Sequence, residues 1–483
     1  MSTTTPESAA AGARVPLPSR RTVAAARRSG PARRSPSWWR DAVGAATWAG
    51  LVVVVSLWLA DAQVQELSRD STAALASLGR LTGLVSAYLL LVQVLLMARI
   101  PMVERAYGQD VLARRHRLIG FTSLNLLVVH VVLITVGYTG IDSANVVIEF
   151  VDLVLDYPAM LLALAGTALL LMIAVTSLRR ARARRRYESW HLLHLYAYLG
   201  AGLALPHQLW TGEEFLLHPW ATVYWWTLWA AAVASVLVWR VGLPLYRTLR
   251  HRLRVVAVVQ ESPDVVSIWM RGRRLERLPV AAGQFFTWRF LGRTGWTRGH
   301  PFSLSAPPRD GHVRITVKDL GEGSRSLTRL RPGTRVMIEG PYGRLHGGTR
   351  TARKVTLLAG GIGVTPLRAM LEEMPQRPGD VTFVYRARDE ADLVFRAELE
   401  QLAEHLGARV FFATGPRVPG RDSWLPASAG HLDDARALQQ LVPDIARNDV
   451  YICGADGWMA AAHRAARAAG VPERHIHEER FTW

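Results

Sequence analysis

Six apolar runs fill the first half of the chain, near residues 43–60, 79–99, 117–138, 158–178, 190–210 and 220–243. Each has roughly the 17–25 residues that a helix needs to cross a bilayer. Beyond Leu243 the pattern changes. Residues 251–345 alternate with the two-residue period of strands, at 252–259, 265–269, 285–290, 313–318 and 335–339, and Gly and Pro punctuate them. That predicts a small antiparallel β-barrel. From Lys354 the pattern changes again, to an apolar strand over 354–359, a glycine turn over 360–363 and a helix over 365–373. Further strands at 381–385, 410–413 and 449–453, with a helix near 392–406, predict a parallel α/β domain. The expected architecture is a multi-domain membrane protein. It has a disordered basic arm over 1–42, a six-helix transmembrane bundle over 43–245, a barrel over 250–348 and an α/β domain over 353–483.

Charge orients the bundle. The formal net charge is +19 and almost all of it is arginine, Lys318 and Lys354 being the two lysines. The segments between apolar runs alternate in sign. Arg33, Arg34 and Arg40 precede the first; Asp61, Glu66 and Asp70 follow it; Arg99, Arg105, Arg114 and Arg115 come next. Then come Asp142, Glu149, Asp152 and Asp156, the arginine run over 179–186, and Glu213 and Glu214. Basic loops face the cytoplasm. Both termini and the whole second half are therefore expected on that side of a plasma membrane. Arginines beside apolar runs also argue against a nucleic-acid partner. The arm over 1–40 is too polar for a signal-peptide core. With Cys453 as the single cysteine, a disulfide framework, a Cys-ligated iron–sulfur cluster and a Cys-rich zinc site are excluded.

Histidines inside the apolar runs are the first candidate chemistry. His116 and His130 lie 14 residues apart on the third run, and His194 and His207 lie 13 apart on the fifth. These two runs point the same way across the membrane, so His116 matches His194 in depth, and His130 matches His207. The two levels differ by about 20 Å at 1.5 Å per residue. Two haems with two axial imidazoles each, stacked across a bilayer, need this layout. A single such histidine is as well explained by a helix–helix hydrogen bond; four at matched depths are not. A 14-residue step nearly restores a helix face, whereas a 13-residue step misses it by about 140°. The fifth helix is therefore expected to kink or bulge near Gly200, Gly202 and Pro206. His191 competes with His194 for the inner position, and helical geometry does not choose between them. Trp210, Trp220, Trp225, Trp226 and Trp229 fit an interfacial aromatic belt.

Strand, glycine turn and helix N-terminus from Lys354 to Glu373 make a phosphate-binding arrangement, although such a turn often means only a tight bend. Several segments together carry a family resemblance. His300-Pro301-Phe302-Ser303-Leu304-Ser305 resembles the FAD signature of ferredoxin-reductase-like flavoproteins in its ferric reductase and NADPH oxidase version. Gly360-Gly361-Ile362-Gly363-Val364-Thr365-Pro366 resembles the same family's nicotinamide-nucleotide segment, Tyr451-Ile452-Cys453-Gly454 its Cys-Gly segment, and Glu479-Arg480-Phe481 its C-terminal ending. The membrane half resembles the ferric reductase transmembrane domain, and the likeness spans about residues 43–483.

The resemblance implies that Phe302 faces the isoalloxazine ring of FAD and that Ser303 meets its polar edge, with His300 and Pro301 beside them. It implies that Gly323, Ser324 and Arg325 hold the FAD pyrophosphate, and that Gly360, Gly361, Gly363, Thr365 and Pro366 cradle NAD(P)H. Cys453, Gly454, Phe481 and Trp483 would lie at the nicotinamide. Ser303, Cys453 and Phe481 are the candidate catalytic residues. Arg386 and Arg388 would meet a 2′-phosphate, which favours NADPH over NADH. The expected function is electron transfer from cytoplasmic NAD(P)H through FAD and two b-type haems to an outer acceptor, a ferric chelate or oxygen. The alternative is a haem-free, membrane-anchored flavin reductase that serves a soluble cytoplasmic partner.

Overall fold

The computed structural model describes residues 38–60, 63–139, 145–178, 187–292 and 295–480. The predicted disordered arm, the arginine run over 179–186, Phe481 and Trp483 lie outside the described residues, apart from the arm's last positions. Those are already helical, because α1 runs Trp38–Ala60. Next come α2 (Gln63–Arg69), α3 (Ser71–Met97), α4 (Pro101–Tyr107), α5 (Gln109–Tyr138) and α6 (Val146–Asp156). They are followed by α7 (Met160–Ser177), α8 (Tyr187–Thr211), α9 (Glu213–Leu217) and α10 (Pro219–Ser235). A π-helical turn, Val236–Gly242, joins α10 to α11 (Leu243–His251).

Local chemistry sets the boundaries. The Asp70 carboxylate accepts from the Ala73 N–H at 2.9 Å and starts α3 well before the apolar run begins. Pro101 and Pro219 open α4 and α10, where a missing N–H costs nothing. Among the described residues five helices are long and apolar enough to cross a membrane, α1, α3, α5, α7 and the continuous helix Pro219–His251. The 25-residue α8 lies over the fifth predicted run. Its histidines, Gln208 and Glu188 make it less apolar than those five. No bulge interrupts α8 near Gly200 to Pro206: helix runs from Tyr187 to Thr211 with Pro206 inside it. A proline can bend a helix without ending it. The wide turn sits instead in the last helix.

In the second half, six antiparallel strands form one sheet. They are β1 (Arg254–Ser262), β2 (Val265–Arg271), β3 (Phe285–Phe290), β4 (His300–Arg309), β5 (His312–Lys318) and β6 (Val336–Tyr342). Their order is β1-β2-β5-β4-β3-β6, and the first and last meet at a bridge between Arg254 and Arg335. Ile268, Phe286, Trp288, Leu304 and Ile338 fill its core. The short α12 (Glu322–Arg325) lies between β5 and β6. The second sheet is parallel, with β7 (Val355–Gly360), β8 (Val381–Ala387), β9 (Arg409–Thr414), β10 (Asp449–Cys453) and β11 (Ile476–Glu478). Its order is β11-β10-β7-β8-β9. Flanking helices are α13 (Val364–Glu373), α14 (Arg396–Leu406), α15 (Asp434–Leu441) and α16 (Asp456–Ala468).

The two sheets form one block. Helix α13 packs on β4 of the first sheet. Buried Arg314 on β5 meets Glu398 on α14 at 3.1 Å, and Arg309 meets Glu372 on α13 at 3.1 Å.

Candidate functional site

In the membrane half, α3 packs along α5 and α7 along α8, while α5 and α8 face each other at longer range. The four predicted histidines bridge that separation. His116 and His194 have ring centroids 6.0 Å apart, and His130 and His207 are 6.4 Å apart. A metal–imidazole bond is about 2.0–2.1 Å and the ring centre lies about 1.1 Å beyond the nitrogen, so two imidazoles on opposite sides of one metal have centroids about 6.3 Å apart. Both pairs fit that spacing. His194 leans on Trp190, with centroids 5.1 Å apart, and its Nδ1 lies 3.4 Å from Ser177 Oγ on α7.

Partners fix which nitrogen faces inward. His116 Nδ1 donates to the Gln93 carbonyl at 3.2 Å, and His130 Nδ1 to the Gly79 carbonyl at 2.7 Å. A carbonyl only accepts, so both rings carry their proton on Nδ1 and present an Nε2 lone pair. That is how a metal-binding imidazole is oriented. Gly83 makes room for the outer ring, since a Cβ there would lie 2.6 Å from His130 Nδ1. His207 Nδ1 is buried without a hydrogen-bond partner. The side chain of His191 lies outside the described residues.

In the first sheet, the predicted FAD motif lies on β4. His300 stacks parallel to Phe302, with centroids 6.1 Å apart and planes within 3°. The Phe302 carbonyl accepts from Trp288 Nε1 at 2.9 Å, which locks the strand end against the core. Pro301 sits opposite Thr287 on β3. Ser303 is 5% exposed, and its Oγ is buried with no partner. A hydroxyl in that state fits a polar ligand edge. Gly323 comes close to His300, whose Cε1 would lie 3.7 Å from an added Cβ. Ser324 Oγ accepts from the Leu320 N–H at 2.8 Å, and Arg325 pairs with Asp319 at 2.8 Å. Asp319, which the sequence reading passed over, thus holds Arg325 beside the motif.

In the second sheet, Gly360 ends β7, Gly361 and Gly363 form the turn, and Thr365 and Pro366 open α13. Gly363 crosses the end of β10 so closely that a Cβ would lie 2.1 Å from the Cys453 carbonyl. This contact brings the glycine turn and Cys453-Gly454 to the same edge. Cys453 is wholly buried. Burial first, and then Glu479, push its thiol well above its ordinary range. Burial of this kind favours the neutral thiol over the thiolate.

Arg386, expected to meet a 2′-phosphate, is engaged with backbone in this structure. It is 7% exposed and donates to the carbonyls of Gly415 at 2.8 Å and Pro416 at 3.0 Å, tying β8 to the loop after β9. Arg388, two residues on, is exposed. A polar cluster at the opposite strand end was also missed. Asp449 accepts from Thr351 N–H at 2.5 Å and lies 3.0 Å from His477 Nε2. Burial pushes its pKa up, but bonds from His477, Ala352 and Thr351 outweigh that and hold the carboxyl below its usual range.

The family described as "Ferric reductase like transmembrane component" matches residues 82–205, and "Oxidoreductase NAD-binding domain" matches residues 357–464. Ferredoxin–NADP reductase B of Sorangium cellulosum is 31% identical over 239 residues, which are 47% of this chain and 96% of that protein. The glycine betaine monooxygenase reductase subunit of Chromohalobacter salexigens is 30% identical over 239 residues, 48% of this chain. The chain spans only 64% of that relative's length. Among solved structures, the FAD/NAD-binding domain of the nitric oxide dioxygenase from Vibrio cholerae aligns with 47% of this chain and 97% of its own, at 25% identity and a TM-score of 0.40. The chain belongs to the ferredoxin-reductase type of NAD(P)H-dependent flavin oxidoreductases, here joined to a ferric-reductase-like transmembrane component.

Proposed function

We propose that this protein carries electrons across a membrane, from NAD(P)H through FAD and two b-type haems to an acceptor on the far side. The observation that supports this most is the pair of histidine pairs, 6.0 and 6.4 Å between ring centroids. Each pair supplies two ligands, and no group of three or more His, Cys, Asp or Glu suited to a metal occurs among the described residues. Haem brings its remaining ligands with it, so two side chains at each site suffice in this reading. In this reading α8 is a sixth crossing, the six-stranded sheet is the FAD barrel, and the basic loops, both termini and the flavin domain are cytoplasmic.

Bound FAD would take a hydride from NAD(P)H, and haem iron would pass electrons singly. His116 and His194 would hold the inner haem, and His130 and His207 the outer. The carbonyls of Gln93 and Gly79 keep two of these rings in the ligating tautomer. Phe302 would offer its face to the flavin, and Ser303 Oγ would find there the partner it otherwise lacks. The turn at Gly360–Gly363 and the start of α13 would hold the dinucleotide phosphates. With Arg386 committed to carbonyls, Arg388 would carry a preference for NADPH over NADH. The acceptor would be a ferric chelate or oxygen.

The test is anaerobic reduction of the purified protein by NADPH or NADH. We expect two b-type haems per chain, both reduced, and reoxidation by ferric citrate or oxygen. Absence of any reducible b-type band would overturn this reading and leave a membrane-anchored flavin reductase. A haem count that drops in His191→Ala but not in His194→Ala would reverse the inner assignment.

A further inference from the structure

An exposed apolar stripe runs along the last helix beyond the point where a bilayer core would end. Leu237, Val241, Leu245 and Leu249 are 58%, 53%, 49% and 60% exposed, and they recur at helical spacing from the π-turn to the end of α11. The opposite face of α11 buries Pro244 and His251 and lies against β6. A 33-residue helix is about 50 Å long, against about 30 Å of hydrocarbon. Its final turns therefore pass through the headgroup layer. There the stripe runs into an open groove of about 430 Å³ lined by Tyr246, Leu249, Arg250, Arg252, Arg273 and Arg274. Four arginines and no acidic residue line it.

The groove is held in shape by specific contacts. Arg273 N–H donates to the His251 carbonyl at 2.7 Å, and its own carbonyl accepts from His251 Nδ1 at 3.1 Å. These bonds pin the loop after β2 onto the end of α11. Gly272 permits the approach, because a Cβ there would lie 2.7 Å from Leu253 Cδ2. Arg252 and Arg274 both adopt left-handed backbone, with φ of 45° and 54°. Arg252 also caps the helix, its Nε donating to the Leu249 carbonyl at 3.2 Å. The helix end does not account for Arg273 and Arg274, which come from a different element.

We propose that this groove binds the phosphate of an anionic phospholipid headgroup, whose acyl chains lie along the stripe from Leu237 to Leu249. A basic pocket next to a span is what such headgroups recognise. The contiguous apolar stripe favours a lipid over free phosphate. The inference rests on the reading that Pro219–His251 crosses a membrane.

The test uses the full-length, flavin-loaded protein in nanodiscs of roughly four parts phosphatidylcholine to one part phosphatidylglycerol. After transfer to detergent, retained lipids are counted by native mass spectrometry. We expect retained phosphatidylglycerol, loss of about five-fold for each arginine removed, and no displacement by excess inorganic phosphate. The variants are Arg250→Gln alone and Arg273→Gln with Arg274→Asn, asparagine being tolerant of left-handed backbone. Arg353→Gln, equal in charge to the first and placed just before β7, should retain the lipid. Equal retention by the double variant, or displacement by phosphate as readily as by lipid, would overturn the proposal. Release of the chain from membranes by alkaline carbonate would instead sink the spanning reading itself.

Discussion

Gly83 is a sharp single-residue probe of the histidine pairs. A methyl group there would lie 2.6 Å from His130 Nδ1 and 2.8 Å from Cε1, and that ring is held at 2.7 Å by the Gly79 carbonyl. The ring cannot yield without losing its orienting bond. In the proposed two-haem arrangement, Gly83→Ala is therefore expected to remove the outer haem and keep the inner, halving the haem-to-flavin ratio in the absorption spectrum. Unchanged haem content would mean that His130 is free to move. A second residue reports on pH. Burial, then Arg344 and His477, push His346 down from 6.5 to about 4, and its Nδ1 accepts from the Gly348 N–H at 3.1 Å. The folded pKa lies below the unfolded one, so between those values the unfolded chain binds more protons. Stability from this site is complete above about pH 6.5 and is lost as pH falls towards 4, by about 3 kcal/mol in all. Thermal unfolding followed by flavin fluorescence should show that slope. His346→Gln, which keeps an acceptor without a titrating group, should flatten it.

At the scale of elements, the sequence was informative where one pattern dominates. The apolar runs, the alternation of β2 and β3, and the turn at Gly360–Gly363 all lie where periodicity placed them. It failed where local signals conflict. β4 carries Pro301, Pro307 and Pro308, which hide a strand of ten residues. β11 is three residues long and exists through pairing with β10. The fate of Arg386 depends on carbonyls about 30 positions away, and no spacing rule shows that. The expectation of a kink or bulge in α8 came from treating a histidine as fixed to its helix face; α8 is helical from Tyr187 to Thr211 with Pro206 inside it. What sets α8 in place is its contact with α7. An added Cβ at Gly166 would lie 2.6 Å from the Gly200 carbonyl, a backbone atom that cannot rotate away. Gly166→Ala should part the two helices and displace His194 and His207 together. Loss of both haem bands with full flavin content and unimpaired NADPH–ferricyanide reduction is the expected result. Loss of one band alone would contradict it.

The whole molecule divides into a membrane half and a block of two sheets, and different ion pairs hold the two boundaries. Within the block, buried Arg314 and Arg368 share Glu398 between the sheets. Between block and membrane half, Arg99 lies just beyond α3 and pairs with Glu104 at 3.2 Å, both side chains 9% exposed. Its guanidinium also lies 4.0 Å from the centre of the Tyr342 ring on β6. The Tyr342 hydroxyl donates to Glu339 at 3.0 Å, and Arg289 donates to the same carboxylate at 3.1 Å. The network thus joins the end of α3, next to the inner histidine pair's Gln93, to the sheet that carries Phe302 and Ser303. Removing Arg99 strands Glu104 and costs about 3–5 kcal/mol at this junction. The block stays tethered through α11, so it should still fold and bind flavin. Arg99→Met should leave flavin reduction by NADPH unchanged in stopped flow and slow the following haem reduction at least about ten-fold, the size of effect expected when a docking geometry is loosened. Arg99→Met with Glu104→Leu removes the stranded charge and should recover the thermal stability. It should not recover the haem rate if Arg99 acts by seating the flavin sheet on the membrane half. Recovery of both by the double variant would show that the pair serves stability alone.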